Sequence, residues 1–164
     1  MISFLRRQFN RSDAPSSSGA LGAYGEGLVA EYLTSHGYRL VAANYTAPIG
    51  RSLSGRVVTG EIDLIAYDES GAEPVLAFIE VKTRSRADYA LPQAAVDRRK
   101  QRQILRASRV YRRLLQLGDE PHRYDVASVI VSQKLAPEIM LLKGYFSEST
   151  FARSSWSARG EANF

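Results

Sequence analysis

The sequence contains no cysteine and only two histidines, His36 and His122, which stand far apart. That excludes thiolate catalysis, disulfide scaffolds and zinc fingers, all of which need Cys or closely spaced Cys and His. Long hydrophobic runs are missing too: no stretch approaches the length of a membrane span. The opening MISFLRRQFN is too short and too interrupted by charge for a signal-peptide core. A soluble protein of the reducing cytoplasm is expected. No Gly-rich phosphate cradle and no internal repeat occur. Acidic residues are absent from one place in particular. Between Arg98 and Arg113 stand Arg98, Arg99, Lys100, Arg102, Arg106, Arg109, Arg112 and Arg113 without one Asp or Glu. With a formal net charge of +5, this local excess points to an anionic partner, and nucleic acid is the commonest one.

What is present organises into one domain. The 164 residues suffice to bury about two-thirds of the unfolded surface. Ser-rich RSDAPSSSG belongs to a flexible leader, assigned to residues 1–19. Leu21, Tyr24, Leu28, Val29, Tyr32 and Leu33 recur at helical spacing, and Gly37 supplies a stop. YRLVAANY, 38–45, reads as a strand, and TAPIGRSLSGR, 46–56, as a long loop. VVTGEIDLIAY and PVLAFIEVKTR form a hairpin around DESGAE, with strands apolar enough to be buried on both faces. Pro92 suits the first turn of a second helix running to Leu117 and ending at Gly118, with Ile104, Ala107, Tyr111 and Leu114 inward. RYDVASVIVS and EIMLLKGYF are two more strands around a turn near Ala136 and Pro137. The order αβββαββ makes an α/β domain, a mixed sheet flanked by helices, over 20–146, followed by a disordered or loosely docked tail, 147–164.

Two charges interrupt the most apolar strand. In FIEVKTR, Glu80 and Lys82 break the run Phe78, Ile79, Val81, and charged side chains are rarely buried unless paired or coordinated. A hairpin centred between Gly71 and Ala72 sets Asp63 opposite Glu80 and Glu61 opposite Lys82. Facing carboxylates repel unless a cation lies between them. A hard divalent ion such as Mg²⁺ or Mn²⁺ fits, since it takes one or two carboxylates, waters and a substrate phosphate. Such an ion suits phosphodiester hydrolysis, with Lys82 orienting water or the scissile group. Glu26 lies at the border of the inward face of helix one, and Lys100 extends the inward stripe of helix two, so both point to the same place. Read singly, the bland alternatives stand: an E-x-K triplet is an edge pattern or salt bridge, Glu26 a half-exposed helix residue, Lys100 one more solvated cation. Arg98, Arg102, Arg106, Arg109 and Arg113 make a cationic stripe that either follows a phosphate backbone or is a solvated face. Arg84, Arg86, Arg51 and Arg56 flank the site as further phosphate contacts.

GAYGEGLVAEYL, TGEIDLIAYD, FIEVKTR, LPQAAVDRRK and RYDVASVIV, in that order over about residues 20–131, resemble the bacterial YraN family, related to the restriction-endonuclease-like nucleases and similar to archaeal Holliday-junction resolvases. The resemblance implies a nuclease core fold with a metal site. It places the family's acidic helix position on Glu26, its central Asp on Asp63, its E-x-K on Glu80 and Lys82, and its basic position on Lys100. It adds the backbone carbonyl of Val81 as a metal ligand, a homodimer, and branched or structured DNA as substrate. Arg123 and Asp125 match the family's R-[FY]-D-V stretch and read as a buried brace. IGRSLSGRV before Gly60 and the longer Ser-rich tail depart from the family's pattern. The expectation is a Mg²⁺- or Mn²⁺-dependent DNA endonuclease. Its rivals are a nucleic-acid-binding or scaffolding module that cleaves nothing, and a phosphatase acting on small substrates.

Overall fold

The structure, a computed structural model, describes residues 17–85, 96–132 and 135–152. Residues 1–16, most of the expected leader, lie outside that set, as do Arg86, Pro92 and residues 153–164 of the expected tail. Eight elements follow in order: α1 Ser18–Ser35, β1 Tyr38–Arg51, β2 Val57–Asp68, β3 Val75–Ser85, α2 Arg98–Leu114, β4 His122–Val131, β5 Glu138–Phe146 and the single turn α3 Ser149–Ala152. The strands form one five-stranded mixed sheet in sequence order. β3 and β4 are parallel, joined across α2, and every other neighbouring pair is antiparallel. This is the expected α/β architecture. Among the described residues no helix is long and apolar enough to cross a membrane.

Each face of the sheet carries one helix because each face is apolar. Val29 and Leu33 of α1 bury against Leu64, Ala66, Ile79, Val81 and Val129. Ile104, Leu105 and Ala107 of α2 bury against Ile62, Ile65, Phe78 and Val126 on the other face. β2 and β3 are therefore covered on both sides, as their near-continuous apolar runs require.

Three boundaries differ from the sequence reading. Residues 46–51 are not loop: β1 runs on to Arg51, with Thr46 opposite Glu61 and Arg51 opposite Val57. Pro48 and Gly50 disguised this stretch, yet β1 is an edge strand, where a missing N–H costs no ladder bond, and a register shift falls between Pro48 and Gly50. The helix described, α2, begins at Arg98 because Asp97 caps it; the expected start at Pro92 lies outside the described residues. Asp97 is extended, and its carboxylate accepts the Lys100 N–H at 2.8 Å. That helix ends at Leu114, short of the expected Leu117, and Leu114 is exposed. The left-handed Gln116 and Gly118 turn the chain just beyond.

At one end of the sheet Arg123 and Asp125 are the brace expected of them. The Arg123 guanidinium donates to both Asp125 oxygens at 3.0 and 2.9 Å, to Tyr38 Oη at 2.9 Å and to Asp68 at 2.6 Å. Lys143 and Ser70 complete Asp68. These bonds outweigh the burial of Asp68 and hold its carboxyl well below the usual range. Every charge there has a partner, so the cluster ties β1, β2, β4 and β5 together.

Candidate metal centre

The sheet forks at the opposite end. β2 and β3 pair from Asp68–Val75 to Leu64–Ile79 and no further. Beyond that point β2 continues with β1 alone, to Val57, and β3 with β4, to Ser85. β2 also turns over there: Ile62 and Ile65 both face α2, whereas Leu64 faces α1. Strict alternation would put Ile62 with Leu64. Across from Asp63 on β1, Asn44 adopts φ +50°, and β1 keeps its register on either side. The two strands bend away together, so the fork opens at Asp63 and Glu80.

In the fork Asp63 takes over a ladder function. Its Oδ2 accepts the Val81 N–H at 2.7 Å, capping a donor that strand separation would otherwise leave bare. Asp63 and Glu80 thus occupy the neighbouring positions that the register predicts. Glu80 is 2 % exposed. Its Oε1 accepts from Lys82 Nζ at 2.7 Å; its Oε2 is ion-paired with Lys100 Nζ at 3.1 Å. Lys100 Nζ is also 3.9 Å from Asp63 Oδ1. The expected Glu61–Lys82 pair is replaced by Lys82–Glu80, because the fork carries Glu61 away from β3 and leaves it exposed.

The electrostatics register the crowding. Burial, then the Glu80 carboxylate, pushes Asp63 up to about 7, against the Val81 hydrogen bond and Lys100, which pull it down. Burial alone would lower the Lys100 pKa, but Glu80 and Asp63 outweigh it and raise it above the ordinary value. Glu26 is half-buried on α1 and raised, first by burial and then by Glu61 and Glu80, with the Asn44 side chain opposing. Glu26, from the helix on the other face, therefore senses the same charges as Lys100.

Two glycines set these helices. A Cβ on Gly25 would fall 1.8 Å from Thr83 Oγ1, so α1 lies directly on β3, and Glu26 follows it. A Cβ on Gly60 would fall 2.9 Å from the Gln103 carbonyl oxygen, so α2, which brings Lys100, lies directly on β2. Neither glycine, nor Asn44 or Asp97, was singled out by sequence reasoning. The available signals were a strand-averse Asn inside β1 and an Asp immediately before a basic helical run.

The donor set fits a hard divalent ion. Two adjoining buried carboxylates are what Mg²⁺ or Mn²⁺ accepts when waters and phosphate fill the remaining positions. Among the described residues no group of three or more His, Cys, Asp and Glu is placed to hold a metal, so Asp63 and Glu80 would be the only acidic side chains on it. The stripe residues Arg98, Arg102, Arg106, Arg109 and Arg113 are all exposed on α2. Two of them are engaged by the start of the tail: Arg109 holds Glu148, at 2.8 Å for its closest contact, and Arg102 lies over the Phe151 ring. Arg84 is half-buried on β3.

Fold and site together define an α/β protein with an acid and lysine cluster set in a forked mixed sheet. The model of "Uncharacterised protein family UPF0102" matches residues 25–129. The chain belongs to that family, the YraN family of the sequence resemblance. It is 38 % identical to a UPF0102 protein of Solibacter usitatus over 146 residues, 89 % of this chain and all of that one. It is 42 % identical to one of Symbiobacterium thermophilum over 66 % of this chain and 80 % of the other. The crystal structure of SSO0001 resembles it remotely, with TM-score 0.34 and 16 % identity over 90 % of this chain and 64 % of that one.

Proposed function

We propose that the protein is a divalent-metal-dependent endonuclease on a restriction-endonuclease-like core, hydrolysing phosphodiester bonds in DNA. The observation that carries this reading is the buried Glu80 beside Asp63, two carboxylates at adjoining positions with two lysines in attendance. Asp63, Glu80 and the Val81 carbonyl would hold the ion. When bound, Mg²⁺ or Mn²⁺ supplies positive charge against the phosphate and makes water more acidic. The side-chain roles follow from position. Lys82, half-exposed at the mouth of the fork, holds the attacking water or the phosphate oxygen. Glu26, raised in pKa, accepts one proton from the water as the water oxygen bonds to phosphorus; the bond from phosphorus to the sugar oxygen breaks, and that oxygen takes a proton from solvent. Lys100 neutralises the carboxylates and keeps them oriented. The exposed arginines of α2 hold the backbone. Branched DNA and a homodimer making paired cuts belong to the same reading.

One observation favours a second reading. Lys82 and Lys100 both already stand against Glu80, so the cluster can be charge-compensated without an ion. In that case the protein is a nucleic-acid-binding module that cleaves nothing. The test is incubation with linear, flapped and four-way DNA, and with RNA, in Mg²⁺, Mn²⁺ or chelator. The nuclease reading expects metal-dependent cleavage that Asp63→Ala, Glu80→Ala and Lys82→Ala abolish while binding survives. Binding without cleavage, in every metal and on every substrate, would leave only the second.

A further inference from the structure

The turn between β1 and β2 is built more rigidly than a connection needs to be. Ser52 N–H donates to the Arg56 carbonyl at 2.8 Å and Gly55 N–H to the Ser52 carbonyl at 2.9 Å. Arg56 N–H donates to Ser52 Oγ at 3.1 Å, the Ser52 and Ser54 hydroxyls meet at 2.9 Å, and Arg51 donates to the Gly55 carbonyl at 2.9 Å. Gly55, at φ +77°, permits the turn. The hairpin is anchored below, where Gly60 abuts α2, and free above: Arg51 and residues 53–57 are all exposed. At the apex stands Leu53, wholly exposed, with exposed Arg51 and Arg56 beside it.

A single exposed leucine on a surface needs no explanation. A leucine at the tip of a hydrogen-bonded hairpin, with small Ser neighbours and a guanidinium on each side, has the composition of a wedge. Apolar side chains of this kind enter between base steps while adjacent cations hold the phosphates. We propose that Leu53 inserts at an interrupted base stack in duplex DNA, with Arg51 and Arg56 on the flanking phosphates. This makes the hairpin the element that selects nicked, flapped or branched DNA over continuous duplex, and it rests on the DNA-acting reading above. The tip stands away from the acid cluster: Val57, at the foot of the turn, is six residues from Asp63, about 20 Å at β geometry.

The test is binding in chelator, where nothing is cut, to a continuous duplex and to the same duplex nicked at a step bearing 2-aminopurine. The wild type is expected to bind the nicked duplex about tenfold more tightly, the gain that burying one leucine supplies, and to raise 2-aminopurine fluorescence on binding. Leu53→Ala should abolish both the preference and the fluorescence change without weakening binding to continuous duplex, and Leu53→Phe should keep them. An undiminished preference in Leu53→Ala overturns the wedge and leaves the nuclease reading intact. A Leu53-dependent preference in a protein that cuts nothing in Mg²⁺ or Mn²⁺ supports the wedge and removes the nuclease. Absence of any DNA binding, or tighter binding to anionic vesicles than to nicked DNA, overturns the wedge outright.

Discussion

Asp63 answers two demands that conflict once it is ionised. It must accept the Val81 N–H where β2 and β3 part, and it must do so beside the buried Glu80 carboxylate. Burial and that neighbour raise it from 3.8 to about 7. Between those two values the native state retains a proton that the unfolded chain has released, so stability falls as pH rises through the window and the loss is complete above it. Asp63→Asn keeps an oxygen for Val81 and removes the ionisation. In chelator, urea unfolding free energies of the two proteins should therefore diverge from about pH 4 to about pH 7 in favour of Asn, by on the order of 4 kcal/mol. Mn²⁺ should reverse the order at pH 8, because it binds the ionised pair and stabilises only the wild type. Parallel pH profiles with and without Mn²⁺ would mean that Lys82 and Lys100 already neutralise the site.

Elements reach the fork only because nothing stands between them and the sheet, and Gly60 shows it most directly. A methyl there would meet the Gln103 carbonyl oxygen at 2.9 Å and Ile49 Cγ2 at 3.0 Å. The first of these is helix backbone, which cannot rotate aside, so α2 must shift and Lys100 with it. Gly60→Ala should cost about 1–3 kcal/mol of stability and weaken Mn²⁺ binding in calorimetry, whereas Gly55→Ala, at the free tip, should leave Mn²⁺ binding unchanged. Much of this arrangement was legible in the chain. Two apolar runs about a turn at Gly71 and Ala72 fix the register that the structure carries from Leu64–Ile79 to Asp68–Val75, and a period of two puts Glu80 and Lys82 on one face. The fork was not legible, because a strand leaves one neighbour for another through competition among elements distant in sequence. Glu61 was therefore matched to Lys82 by extrapolating a ladder that stops, and Pro48 concealed a strand that is tolerable only because β1 is an edge.

Across the whole molecule the charge is uneven, and the C-terminal end of the described residues falls on the basic side. The Arg109 guanidinium and Glu148 share two hydrogen bonds, at 3.3 and 2.8 Å. This pairing holds the Glu148 carboxyl below its ordinary value, burial opposing it only in part. Phe151 of α3 lies beside Arg102, 5.4 Å from its guanidinium carbon to the ring centre. A polyanion approaching α2 must compete with this acidic and aromatic cover at two of the five stripe positions. Competition of that kind can be read from salt dependence, since each phosphate contact releases condensed counterions and adds about 0.9 to the slope of log K against log salt. Glu148→Ala should raise affinity for duplex DNA at low salt and steepen that slope by about one contact, because Arg109 is then available to phosphate. Arg106→Ala, which lies on the same exposed face, should make the slope shallower by a similar amount, and Arg109→Ala should abolish the gain from Glu148→Ala. Exposed ion pairs contribute little to stability, so melting temperatures should barely move. Identical slopes in all four proteins would place the nucleic acid on some other face of the molecule and return α2 to the role of a solvated helix.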